Sequence, residues 1–315
     1  MVIRIGTRAS QLAIAQTKWV IDRISAKYPD IRADLVRIRT KGDRIIDRPL
    51  STIGGKGLFV KEIEEALARN EIDVAVHSLK DVPAELPDNL YIGIIPERED
   101  PHDVMISKDN IFLEDLPEGS CIGTSSLRRS AQLLHYRRDL EIVPLRGNLD
   151  TRIRKLDTTD IQAIVVARAG LRRIGFKDNI TQSFSFDLML PAIGQGALGL
   201  ELRRDDQKTR DILAFLDHHP TRLTAEAERS FLMELKGGCR LPVAGLARLK
   251  DDSLSLDGLV ANLDGSTIFR DVVIGSAENP RELGATLAHR LLDEGAGKIL
   301  NEIYRETSQE VPKVS

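Results

Sequence analysis

Cysteine is scarce in this chain: two residues, Cys121 and Cys239, among 315. Two widely separated thiols make no disulfide framework and fit a reducing compartment. Long apolar runs are missing too. None approaches the roughly 18 residues of a membrane span, and the N-terminal MVIRIGTRAS lacks the apolar stretch of a secretory signal. The expectation is therefore a cytoplasmic chain without membrane contact. Net charge is only −3, which argues against bulk nucleic-acid binding. No His/Cys/acid spacing suits a metal: His218-His219 runs into a proline with no ligand partner nearby. No nucleophile elbow is present.

A hydrophobic content of 42% is enough for substantial cores, and the length allows two or three domains. Short apolar runs (Val2–Ile5, Ala33–Arg39, Ile72–Val76) alternate with helical patterns (Ser10–Lys27, Leu58–Arg69). This predicts an α/β fold with a mostly parallel sheet. A charged, proline-bearing stretch near Ile95–Asp103 reads as a crossing, after which the alternation restarts with strands at Asp103–Ser107, Ser120–Gly123, Glu141–Leu145 and Ile161–Ala167. A second break near Leu190–Gly194 precedes Leu198–Leu202, a strand that returns to the first domain. The last third differs: helix Thr221–Leu235, three consecutive strands, then one long helix Pro280–Ile303, as in a small α+β domain. The expected domains are 1–97 with 195–216, then 98–194, then 217–315.

Several motifs compete with plainer readings. Gly194–Gly199 matches G-x-G-x-x-G, but a proline precedes it and a strand follows, so a backbone crossing fits better than a dinucleotide site. Gly54-Gly55-Lys56-Gly57 reads equally as a flap or a surface turn. Ile5-Gly6-Thr7-Arg8-Ala9-Ser10 is echoed by Ile122-Gly123-Thr124-Ser125-Ser126; each would aim a helix N-terminus at an anion, although serine is also the common helix cap. Positions 128–155 concentrate Arg128, Arg129, Arg137, Arg138, Arg146, Arg152, Arg154 and Lys155, which is either an anion site or a set of solvated faces. His77-Ser78-Leu79-Lys80-Asp81 ends a predicted parallel strand, where α/β sheets place ligands; a surface ion pair is the alternative. Cys121 sits on a strand and reads as a buried, inert thiol. Cys239 lies behind two glycines and between Lys236 and Arg240. No base stands beside it, so it reads as a covalent tether rather than a turnover nucleophile.

Eight ordered segments resemble the porphobilinogen deaminase (hydroxymethylbilane synthase) family: GTRASQLA (6–13), GGKGLFVKEIE (54–64), VHSLKDVP (76–83), GTSSLRR (123–129), LRGNLDTR (145–152), PAIGQGAL (191–198), AER (227–229) and GGC (237–239). The resemblance implies two domains of the type II periplasmic-binding-protein kind and a third carrying the cysteine. It implies a dipyrromethane cofactor on Cys239 through a thioether. Four porphobilinogen molecules add to it with loss of ammonia, and hydroxymethylbilane is released. It implies Asp81 as the catalytic carboxylate. Lys80, Ser126, Arg128, Arg129 and Arg146 would bind cofactor; Arg8, Ser10, Arg152 and Lys56 would bind substrate. A monomer that hands its product to uroporphyrinogen-III synthase is expected. The segment after the anchor departs from the usual Gly-Gly-Cys-Gln-Val-Pro-Ile-Gly, because Arg240 stands where a neutral residue is common. The other reading of a bilobal fold is a non-enzymatic anion sensor or solute-binding protein. The missing signal and the cysteine-bearing third domain argue against it.

Overall fold

The computed structural model describes residues 1–44, 60–176, 180–236 and 241–309. The chain opens with β1 (Val2–Arg8), α1 (Gln11–Lys27), β2 (Arg32–Ile38), a single turn α2 (Lys41–Arg44), α3 (Lys61–Ala68), β3 (Val74–Ser78) and β4 (Leu90–Ile94). It then crosses to β5 (Asp103–Ser107), β6 (Cys121–Gly123), α4 (Leu127–Tyr136), β7 (Glu141–Val143), α5 (Leu149–Thr158), β8 (Ala163–Ala167), α6 (Arg168–Arg173) and the short β9 (Gln182–Ser183). A second crossing leads back to β10 (Leu198–Arg203) and α7 (Gln207–Leu213).

The two sheets are built alike. The first has the order β2-β1-β3-β10-β4 and the second β7-β6-β8-β5-β9. In each, the three strands at one side are parallel. The fourth position is filled by the strand that has just crossed from the other lobe, antiparallel to its neighbours. This is the type II periplasmic-binding-protein arrangement expected from the sequence. It also explains the internal echo: Gly6-Thr7 lies in β1 and Gly123-Thr124 at the end of β6, each the second strand of its sheet.

Helix α1 shows which sequence cues held. Ser10 caps it, accepting from the Ala13 N–H at 3.3 Å. Its buried face is Ala13, Gln16, Thr17, Val20 and Ile24, while Trp19 is 37% exposed beneath the Arg23 guanidinium. The polar members pair internally: Thr17 Oγ1 donates to Ala13 O at 3.0 Å and Gln16 Nε2 to Ser78 Oγ at 2.8 Å.

The last part comprises α8 (His219–Glu234), the antiparallel β11 (Val243–Lys250), β12 (Ser253–Ala261) and β13 (Ile268–Ser276), then α9 (Pro280–Leu291) and α10 (Gly297–Gln309). Phe231, Leu256, Val260, Leu287 and Leu291 are among its core residues. Helices α8 and α9 approach closely at Gly284, where a Cβ would lie 2.3 Å from Ala227 O. The single long helix expected from Pro280 to Ile303 is broken. A π-type turn at Leu292–Ala296 places Gly295 at φ 118°, a conformation open to glycine and strained for other residues.

The two crossings, 95–102 and 191–197, meet in a buried polar knot. Asp103 has no exposed surface. Its Oδ2 accepts from Arg128 Nη1 at 2.7 Å, and its Oδ1 from Arg129 Nη2 at 2.7 Å and Gln195 Nε2 at 3.0 Å. Glu228 of α8, equally buried, accepts from Arg98 Nη1 at 2.5 Å, Gly194 N at 2.7 Å and Ala247 N at 2.9 Å. It ties the third part to both crossings. Gly196, at φ 89°, packs so closely that a Cβ would lie 2.2 Å from Glu99 O. The G-x-G-x-x-G match is thus a crossing, as expected.

Burial alone would raise the Asp103 carboxyl, but the Arg128 and Arg129 charges outweigh it and hold it well below the ordinary range. Its stabilising contribution is complete above about pH 4 and is lost as pH falls toward the depressed value. Asp103→Asn should therefore cost about 3–5 kcal/mol at neutral pH, since it leaves two buried guanidiniums without their counter-charge. Urea midpoints should show the gap between wild type and variant narrowing below about pH 4. A pH-independent gap would contradict this account.

Candidate active site

Strand β3 ends at Ser78 and runs into a single 3-10 turn, Leu79–Asp81. The turn presents Lys80 and Asp81 at the mouth between the two lobes. Asp81 shares a pocket with Arg8, Ser10, Gln16, His77 and Ser78. Lys80 Nζ donates to Gln195 Oε1 at 3.3 Å, which links it to the Asp103 knot. Burial lowers the Lys80 ammonium to about 8, with Arg129 and Arg128 adding to the fall against Asp81 and Asp103.

The opposite wall comes from α4 and α5. Ser126 caps α4, accepting from Arg129 N at 3.4 Å. Arg152, on α5, donates to Gly147 O at 2.9 Å. Burial lowers its guanidinium to about 10; Arg129 and Arg146 push it further down and Asp81 pulls it up. Lys80 from the first lobe and Arg152 from the second therefore both feel the Asp81 carboxylate, while Arg129 acts on both of these cations and Arg146 on Arg152. Arg173 is a further cation, half-buried, whose desolvation lowers it to about 10 against Glu99; it donates to Gly196 O at 2.7 Å. Its neighbour Gly196 lies in the second crossing, remote in sequence, so no local pattern flags it.

Of the expected site residues, Arg8, Ser10 and Asp81 share one pocket, Lys80 and Arg152 interact with Asp81, Arg146 interacts with Arg152, and Ser126 caps α4. Arg128 and Arg129 are more deeply placed than expected, 4% and 6% exposed, and both are bound to Asp103. A guanidinium has more N–H donors than these bonds use, and Arg128 Nε is buried without a partner among the described residues. Lys56, Cys239 and Arg240 lie outside the described residues. Helix α8 ends just before the Cys239 segment, and its Arg229 donates to Pro83 O at 2.7 Å, immediately after the Asp81 turn.

Other members of the arginine concentration serve the plainer purpose. Arg137 donates to Leu113 O and Leu116 O, each at 2.8 Å, and pairs with Asp139. Arg154 forms an exposed pair with Asp150. Cys121 is half-buried rather than buried. Its Sγ donates to Glu141 Oε2 at 3.4 Å, and desolvation and Glu141 push the thiol up, so it stays protonated and unreactive.

A family model described as "Porphobilinogen deaminase, dipyromethane cofactor binding domain" matches residues 3–211, and one for the porphobilinogen deaminase C-terminal domain matches 222–293. The chain belongs to the porphobilinogen deaminase family. Porphobilinogen deaminases of Geobacter sp. (strain M21) and Brevibacillus brevis are each 50% identical to it, over 98% and 97% of this chain and 97% and 99% of theirs. A solved methionine-binding protein, MetQ, covers 68% of this chain at 16% identity with a TM-score of 0.45, which is 89% of MetQ's own chain. Family membership makes this an enzyme of tetrapyrrole biosynthesis with a dipyrromethane cofactor. The donor set fits such a group: clustered guanidiniums and a partly suppressed ammonium suit a ligand with several carboxylates, and the buried Arg128 Nε still lacks an acceptor.

The suppressed Lys80 charge is directly measurable. Site-resolved acylation followed through the alkaline range should give a Lys80 midpoint near pH 8, against about 10.4 for an ordinary lysine. A midpoint in the ordinary range would show that Lys80 is neither desolvated nor crowded by the arginines.

Proposed function

We propose that the chain condenses four porphobilinogen molecules, one at a time, onto a dipyrromethane held by Cys239, releasing ammonia at each step and finally hydroxymethylbilane. The observation that carries this reading is the placement of a single carboxylate, Asp81, within cations contributed by both lobes. When bound, the dipyrromethane supplies the free pyrrole α-carbon that takes up the first substrate.

The residues divide the work. Asp81 accepts from pyrrole N–H groups and stabilises the substrate cation left when ammonia departs. Lys80, Ser126, Arg128, Arg129 and Arg146 bind the cofactor's carboxylates; Arg8, Ser10, Arg152 and Lys56 meet those of the incoming ring. Each porphobilinogen brings an acetate and a propionate, so the anionic load grows with every step. Guanidinium pairs with carboxylate in a bidentate fashion that ammonium cannot match, which supports the arginine-rich wall. The domain division 1–97 with 195–216, 98–194 and 217–315 places these groups on opposite walls and the tether on the third unit. No helix among the described residues is long and apolar enough to cross a membrane. We further infer a cytoplasmic monomer whose product passes to uroporphyrinogen-III synthase.

Asp81→Asn keeps the shape of the site and removes the charge that meets the cation. Turnover should fall by roughly 10²-fold or more, while intact mass still shows the bound cofactor. Near-normal turnover in a loaded Asp81→Asn enzyme would reduce Asp81 to a surface group.

A further inference from the structure

The described chemistry leaves one proton without a destination. Coupling at a pyrrole α-carbon must end with loss of that carbon's hydrogen. Asp81 is at that moment engaged by positive charge and is a poor acceptor. A second group in the same pocket has no assigned task.

His77 is the penultimate residue of β3, 5% exposed, and lines the pocket with Asp81, Arg8, Ser10, Gln16 and Ser78. Opposite it on β10 stands Gly199; Ala75 faces Glu201. Glu201 is therefore diagonal to His77 on the same face, and their side chains meet, Nε2 to Oε2, at 2.8 Å. Their side chains are 4% and 1% exposed. Glu201 Oε1 has no hydrogen-bond partner among the described residues. Arg229 of α8 senses the Glu201 charge but spends its donors on the Val82, Pro83 and Ala84 carbonyls. A buried acid–imidazole pair is a costly way to hold two strands together, because apolar residues of similar volume do so without desolvating a charge.

We propose that His77, oriented by Glu201, accepts the proton released from the pyrrole α-carbon at each condensation. The inference rests on the reading of the chain as a porphobilinogen deaminase. Glu201 accepts the Nε2–H, which leaves the Nδ1 lone pair for the pocket, and its carboxylate stabilises the imidazolium that forms. The step balances. The C–N bond of the substrate's protonated aminomethyl group breaks and ammonia leaves with the electron pair; the new C–C bond forms; the α-carbon's proton passes to Nδ1 and then to ammonia, which departs as ammonium. The charged groups near the pair are Glu64 of α3 and Arg229 of α8, with Arg8 of β1 and Asp81 of the turn lining the same pocket as His77. Burial raises Glu64 to about 7, with the Glu201 charge adding to the rise.

The test uses the full chain with two variants. His77→Gln should retain the covalent dipyrromethane by intact mass and lose roughly 10²–10⁴-fold in turnover, the usual range for a general base. Glu201→Gln should lose less. Porphobilinogen deuterated at its free α-position should turn over at the ordinary rate in wild type but more slowly in His77→Gln, where proton loss becomes limiting. Independently of activity, ¹⁵N NMR of the resting wild type should show Nε2 protonated and Nδ1 bare. A His77→Gln enzyme that turns over normally, or slowly without isotope sensitivity, overturns the proposal. So does a resting His77 protonated on Nδ1 alone, which decides the matter even if His77→Gln does not fold. Wild type that carries no dipyrromethane and releases no ammonia would instead sink the family reading.

Discussion

The Asp103 carboxylate is the point on which the two lobes turn. It begins β5, the strand that has just crossed from the first lobe, and it holds two adjacent guanidiniums from α4 and the amide of Gln195 from the return crossing. Gln195 in turn accepts from Lys80, within the turn that ends at Asp81. The buried charge is affordable because every oxygen of Asp103 is used. Breaking one member strands the others in a place without water. Glu228 repeats the device one layer away, binding Arg98 and the backbone of both the 194 crossing and β11. All three sheets thus refer to the same few residues around the crossings.

That knot sets the electrostatics of the cleft. Burial depresses Lys80 and Arg152; the arginines that neutralise Asp103 add to the fall at Lys80, and Arg129 with Arg146 adds to it at Arg152. Asp81 and Asp103 oppose that fall at Lys80, and Asp81 opposes it at Arg152. A ligand with many carboxylates opposes it further, and the proposed mechanism supplies one that grows at each step. On the other wall, the antiparallel return of β10 places Glu201 beside His77, so the strand that closes the first sheet also equips the pocket.

The elements were legible where pattern and chemistry agree. The strand–Gly-Thr–helix units, the crossing near residue 100, the return strand at 198 and the antiparallel sheet of the last third follow from periodicity and from glycine and proline punctuation. Short strands escaped: β4 has five residues and β9 two. The break at Gly295 was hidden because the apolar spacing continues through it. Within the site, Lys80-Asp81 announced itself by ending a parallel strand. Arg128 and Arg129 were visible as a motif, but their partner Asp103 lies far along the chain and read only as the start of a strand. The same holds for His77, whose pairing with Glu201 depends on the register of a strand from the other end of the two lobes. Arg137 and Arg154 were indistinguishable from the cleft arginines in sequence; only carbonyl and carboxylate neighbours separate them.

The central claim is that this protein builds its product one pyrrole at a time on a tether of its own. Intact mass of the denatured wild-type chain, as purified and after rapid mixing with limiting porphobilinogen, tests it most directly. The account predicts the 35.0 kDa sequence mass plus a dipyrromethane located on the Cys239 peptide, then a ladder of covalent masses each one pyrrole higher. The bare sequence mass, an adduct on Cys121, or turnover without any intermediate mass would contradict it.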